Sequence, residues 1–329
     1  MSEVLSIGIL DYTPLEYKRY DGELAARVLS SALRESAPEN VNPVSLYIRA
    51  FREEIPDMAF DMFVISGSPL STIGYSKDLE KAISQISRII DKVPVFGICF
   101  GLHAIAKITG NGSKMIEEFE MGPRDVAFYS EIDGVRKKLH RSYPRFPMNH
   151  FCKISNGNKT MKVIAVSDKG GIQIADATES FNGNPVMGVQ FHPEFAASRP
   201  GWHAFRKIFE KTLEAVISGE YPEATIWPIL DALPKPAKDG LKRNIYTPEN
   251  LVGSQLTKKQ KDLFMSLFHN IDYRTKLLGK AESSAIYDEL KANSQAVISH
   301  FLKKAIKAKE RRRVSKVKSG TTIALNTRH

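Results

Sequence analysis

Up to Ile108 the chain alternates between short, continuous apolar runs and stretches with an apolar residue every three or four positions. Residues 4–10 are such a run, ending at Asp11, and Leu24, Ala25, Val28, Leu29 and Leu33 follow at helical spacing. Residues 44–48 predict a second strand and residues 61–66 a third, which stops at Gly67-Ser68-Pro69. Leu79, Ile83, Ile86, Ile89 and Ile90 then share one helical face, and residues 93–98 predict a fourth strand leading into a helix over residues 100–108. Strands this uniformly apolar leave no side for solvent, which predicts helices over both faces of a parallel sheet. The expected fold class is therefore α/β, a doubly wound and mostly parallel sheet.

From about Gly122 to Gln190 the rhythm changes. Strands predicted at 125–129, 162–166, 171–175 and 186–190 are joined by turn-rich links such as Asn156-Gly157-Asn158, a pattern of hairpins rather than helical crossovers. A helix is predicted across 202–217, and Tyr221-Pro222 breaks the pattern. The expected organisation is a catalytic domain over 1–220, a connector over 221–254 containing Leu233-Pro234-Lys235-Pro236, and a helical, basic C-terminal extension over 255–329. Helices are expected there at 258–271 and 283–309, the second running on into Arg311-Arg312-Arg313. The spacing of Ile286, Leu290, Ala296, Val297, Phe301 and Leu302 predicts a helix packed on another surface, with the catalytic domain a candidate.

Charge sharpens that division. The chain has 47 Lys and Arg against 37 Asp and Glu, but residues 220–329 hold 21 basic and 11 acidic side chains, leaving 26 of each sign before them. Nine cations fall between Lys303 and Lys318 against the single Glu310. Such a run fits a solvated helix end or an acidic protein partner. Nucleic acid is not favoured, because no aromatic residue follows Lys303 to give bases a stacking platform. The N-terminus lacks the pattern of a secretory signal, no apolar run approaches a membrane span, and two cysteines are too few for a disulfide framework. A reducing cytoplasm is the expected location, and it keeps a thiol usable.

One of those cysteines stands in a chemical setting. Gly97-Ile98-Cys99-Phe100-Gly101 is a G-x-C-x-G run between a predicted strand and a predicted helix, the thiol version of a nucleophile elbow. Flanking glycines permit the tight turn, the helix directs its positive end at the sulfur, and the Phe100 N–H is placed to stabilise an oxyanion. A thiolate needs a base, and the base an orienting carboxylate. Gly188-Val189-Gln190-Phe191-His192-Pro193-Glu194 ends a strand at a histidine, with a carboxylate two residues on. Cys152 has no evident base and reads as structural. No Cys/His cluster has metal-ligand spacing, and there is neither a Walker loop nor a Ser-Gly-Gly-x-Asp loop, so neither metal nor cofactor is expected.

The two runs, in this order and separation, resemble the paired signatures of the class I (triad-type) glutamine amidotransferase superfamily over roughly residues 1–220. The resemblance implies that fold, with Cys99 as nucleophile, His192 as acid/base, Glu194 as orienting carboxylate, and a γ-glutamyl thioester as intermediate. It also implies a second oxyanion donor from the loop Ile65-Ser66-Gly67-Ser68-Pro69. Most amidotransferases have Gly-Gly-Pro in that loop. Gly67-Ser68, the Ile98-Cys99-Phe100 core and residues 163–169 are instead similar to the γ-glutamyl peptidase-like branch.

Two departures concern substrate. A glutamine commonly follows the elbow glycine by two residues, where this chain has His103. Asn149-His150 resembles the family's Ser/Asn-His pair, but Phe151-Cys152 replaces the acidic residue expected after it. His103, Asn149 and His150 are thus candidate substrate contacts. Three functions remain open: a glutaminase component supplying ammonia to a separate synthase or acceptor; a stand-alone γ-glutamyl peptidase or hydrolase; and a non-catalytic binding protein with a basic recruiting tail.

Overall fold

The computed structural model describes residues 2–14, 22–56, 60–68, 70, 72–132, 135–138, 144–154, 160–167, 171–177, 181–204 and 285–326. The expected connector, the helix at 258–271 and most of the one at 202–217 lie outside the described residues, as does the turn at 156–158.

Strands β1 (Glu3–Asp11), β2 (Val41–Arg49), β3 (Met62–Ile65), β4 (Val95–Ile98) and β10 (Val186–Val189) form a parallel core in the order β2-β1-β3-β4-β10. The sheet continues antiparallel through β9 (Ile172–Asp176), β8 (Lys162–Ser167) and β5 (Ser113–Ile132) to β6 (Val135–Lys138), while β7 (Arg145–Ile154) also pairs with β5. The doubly wound α/β sheet predicted from the apolar runs is present, with the hairpin region forming its antiparallel arm.

Alternation along the core strands explains the double winding. In β3, Met62 and Val64 enter one apolar cluster while Phe63 and Ile65 enter the other. Helices α2 (Lys77–Ile90) and α3 (Phe100–Ile108) cover the Phe63 face, and α1 (Gly22–Ser36) covers the Met62 face. Helix α2 follows its sequence closely. Ser76 caps it by accepting from the Leu79 N–H at 3.1 Å, and Leu79, Ala82, Ile86, Ile89 and Ile90 are buried.

The C-terminal helix α5 (Ala285–Asn326) shares the Met62 face with α1. Leu290, Val297, Phe301 and Leu302 are buried as the spacing predicts, whereas Ala296 faces solvent. Phe301 stacks on Phe96 of the central strand β4, with ring centroids 5.1 Å apart. Several of its cations are engaged inside the molecule: Lys304 pairs with Asp176, Lys309 with Asp61 at 2.9 Å, and Arg312 donates to the Asp61 carbonyl at 2.9 Å. Lys303, Lys307, Arg311 and Arg313 remain on the exposed side. Among the described residues, no helix is long and apolar enough to cross a membrane.

Candidate active site

The carboxyl ends of three adjacent parallel strands converge, the location where open α/β sheets bind ligands. β3 ends at the Gly67 loop, β4 at Cys99, and β10 at the segment running through Gln190 to His192.

Cys99 sits between β4 and α3 with φ 49° and ψ −99°, a conformation that costs a non-glycine residue about 1–3 kcal/mol. Its N–H is tied to the Val189 carbonyl at 2.7 Å, which fixes the turn against β10. A Cβ on Gly97 would lie 2.5 Å from the Gly101 carbonyl carbon, so the first glycine of the motif lets α3 start directly above the strand. Cys99 is the N-cap of α3 and makes no side-chain cap bond, leaving the first-turn N–H groups, Phe100's included, for another acceptor.

His192 is held from several sides. Its N–H donates to the Pro147 carbonyl of β7 at 2.9 Å, Phe195 stacks on its ring at 4.9 Å, and Nδ1 meets Glu194 Oε1 at 2.8 Å. The preceding Phe191 stacks on Phe146 of β7 at 4.0 Å. Pro193 opens the short helix α4 (Pro193–Ala197), which turns Glu194 back towards the imidazole. His192 is 7% and Glu194 6% exposed. Burial alone would lower the histidine's pKa, but the Glu194 carboxylate and a hydrogen bond and charge interaction with Cys99 outweigh it and push it up to about 10.

The Gly67 loop touches the same ring. A Cβ on Gly67 would lie 2.6 Å from His192 Cε1, so glycine here makes room for the imidazole. The Ser68 hydroxyl is turned away, donating to the Tyr12 carbonyl at 2.9 Å and accepting from the Leu70 N–H at 3.0 Å.

The candidate substrate contacts fare differently. His103 is 3% exposed, with Nδ1 2.6 Å from Ser113 Oγ and Nε2 2.7 Å from Gln190 Oε1. Burial, with neighbouring His150 adding to it, lowers its pKa to about 4. Asn149 and His150 lie on β7, and His150 Nδ1 is 3.1 Å from the Cys152 carbonyl. Cys152 is buried, which together with the nearby Cys99 pushes its thiol up to about 12.

Motif reading passed over two features. Strand β7 carries the Pro147 carbonyl and the Phe146 ring that hold residues 191–192. Gln190, fully buried, directs Nε2 at Cys99 Sγ across 3.7 Å. An amide side chain closing an apolar run, Val186 to Val189, was its sequence signal. Among the described residues, no group of three His, Cys, Asp or Glu side chains could hold a metal ion.

Fold and site together are those of a thiol-centred α/β amidotransferase scaffold, and comparison agrees. The family model for class-I glutamine amidotransferase matches residues 27–212, and the chain belongs to that family. Among curated relatives, a glutamine-hydrolyzing GMP synthase of Borreliella burgdorferi is 26% identical over 166 residues, 50% of this chain and 30% of that protein. A separate glutamine-hydrolyzing GMP synthase subunit of Ignicoccus hospitalis is 28% identical over 171 residues, 50% of this chain and 82% of that protein. A solved glutamine amido transferase from Methylobacillus flagellatus aligns with a TM-score of 0.47 at 15% identity, covering 90% of this chain and 96% of that one. This chain spans under a third of the length of the first curated relatives it matches.

Proposed function

We propose that the chain is the glutaminase component of an amidotransferase, hydrolysing the glutamine side-chain amide on Cys99 and passing ammonia to a separate synthase or acceptor. The observation that carries this reading is the strained Cys99 turn beside His192, which is bonded to both Cys99 and Glu194. Similarity to a glutamine-hydrolyzing subunit of a GMP synthase supports a separate synthase as partner.

In this mechanism the Cys99 thiolate adds to the amide carbon, and the carbonyl electron pair moves onto oxygen. The Phe100 N–H and a backbone N–H of the Gly67-Ser68 loop stabilise that oxyanion. Protonated His192, its charge balanced by Glu194, gives its proton to the nitrogen; the C–N bond breaks and ammonia leaves. Water then surrenders a proton to His192 and adds to the thioester. The C–S bond breaks, returning thiolate and releasing glutamate.

A second reading, a stand-alone γ-glutamyl peptidase, is favoured by one observation. His103 occupies the position where relatives carry a substrate-holding glutamine, yet both its ring nitrogens are engaged within the protein. The deciding experiment compares hydrolysis of glutamine with that of γ-glutamyl amides and peptides, with and without candidate synthases. Glutamate and ammonia from glutamine, rising when a synthase is added, is the expected result. A strong preference for γ-glutamyl peptides without a partner supports the second reading, and no turnover or acyl-enzyme under any condition rejects both.

A further inference from the structure

We propose that Gln190 is a hydrogen-bond donor to the Cys99 sulfur, held in its donating orientation by His103 and Ser113. This rests on Cys99 being the nucleophile, and it adds a second group to the sulfur besides His192.

The argument is one of donors and acceptors. A thiolate only accepts, so the Gln190 amide, 3.7 Å from Sγ, must present N–H to it. Its oxygen then faces His103 Nε2 at 2.7 Å, and an amide oxygen only accepts, so Nε2 carries a hydrogen. With Nε2–H donating, Nδ1 of the neutral ring accepts, and its partner at 2.6 Å, the Ser113 hydroxyl, donates. Every bond in the chain Ser113→His103→Gln190→Cys99 then points the same way, and each donor strengthens the next. Burial that holds His103 well below its ordinary value keeps the ring neutral at physiological pH.

Gln190 has little freedom to do otherwise. It is completely buried, and its backbone N–H is bonded to the Gln173 carbonyl at 2.9 Å. The titratable groups around it and the sulfur are His192 and Glu194 from the β10 end, His103 from α3, and His150 and Cys152 from β7. The histidine at position 103 therefore orients the nucleophile's donor rather than holding substrate.

The test is the pH dependence of Cys99 alkylation by iodoacetamide in the full-length protein, with kcat/KM for glutamine alongside. Gln190→Met keeps the shape and removes the donor, and His103→Leu removes the group that orients it. Each is expected to slow alkylation near neutral pH by about tenfold and to move the profile to higher pH. His103→Gln, which retains a donor, should restore most of the rate. The double variant Gln190→Met/His103→Leu should lose no more than Gln190→Met alone, because the two act in series. Profiles that overlay the wild type, or losses that multiply, overturn the proposal. If Gln190→Met does not fold, Ser113→Ala and His103→Leu carry the same comparison, and unchanged profiles in both are equally fatal. Wild-type protein whose Cys99 is not selectively alkylated overturns the nucleophile reading itself, which separates the two failures.

Discussion

At the scale of single residues, the site is governed by close approaches and by one charged pair. Gly67→Ala would drive a methyl into the imidazole, only 2.6 Å from His192 Cε1. An imidazole displaced by about 1 Å is expected to cost around a hundredfold in kcat/KM, with the thermal midpoint little changed. Steady-state kinetics beside a melting curve checks this; equal losses in both would mean that the loop is merely structural. His192 makes a pH prediction. Its pKa rises from 6.5 unfolded to about 10 folded. Its protonation therefore adds stability fully below pH 6.5, and that contribution is lost as pH rises through about 10. Glu194→Gln removes the main partner. Denaturant titrations should thus show the stability gap between wild type and variant shrinking across that window, and a constant gap would refute the charged pair. The motif positions were legible in the sequence because the chemistry demands particular residue types close together. The Gln190 contact was not, since its partners Ser113 and His103 come from other stretches of chain.

At the scale of elements, the short parallel strands and the helices between them were readable because each carries a single periodicity. Helix α3 runs over Phe100–Ile108, the limits predicted from an apolar strand meeting a glycine-flanked turn. The antiparallel arm was less legible. β5 spans Ser113–Ile132 where only 125–129 reads as strand, and β7, which supplies Asn149, His150 and the Pro147 carbonyl, was not predicted. Pairing across the arm creates these strands, and no local pattern announces it. Helix α5 gives the element-scale prediction. Phe301 is 1% exposed and stacked on Phe96 at the centre of the sheet. Phe301→Ala should cost about 3–5 kcal/mol in unfolding free energy. A loss below ~1 kcal/mol would mean that the helix is an appendage rather than part of the core.

At the scale of the whole molecule, α5 changes what the basic C-terminal stretch means. Composition set it apart from the first 219 residues, yet its described part fills the face beside α1 and also braces the site's surroundings. Glu289 pairs with Arg145 at the start of β7, and Gln295 donates to the Ala197 carbonyl at the end of α4. Removing residues 285–329 should therefore expose the Met62 face of the sheet and yield aggregated or unfolded protein, measurable by light scattering and circular dichroism. A folded, active truncation would contradict that placement. Charge distribution was visible in the sequence, but its pairing was not: Lys304, Lys309 and Arg312 meet partners more than a hundred residues away.

The most direct measurement is to mix the protein with glutamine or a γ-glutamyl peptide, quench in acid, and map the acyl adduct by mass spectrometry. The account predicts a γ-glutamyl adduct on Cys99, absent in Cys99→Ala and much slower to form in His192→Ala. An adduct on Cys152, or turnover that survives Cys99→Ala, would contradict it.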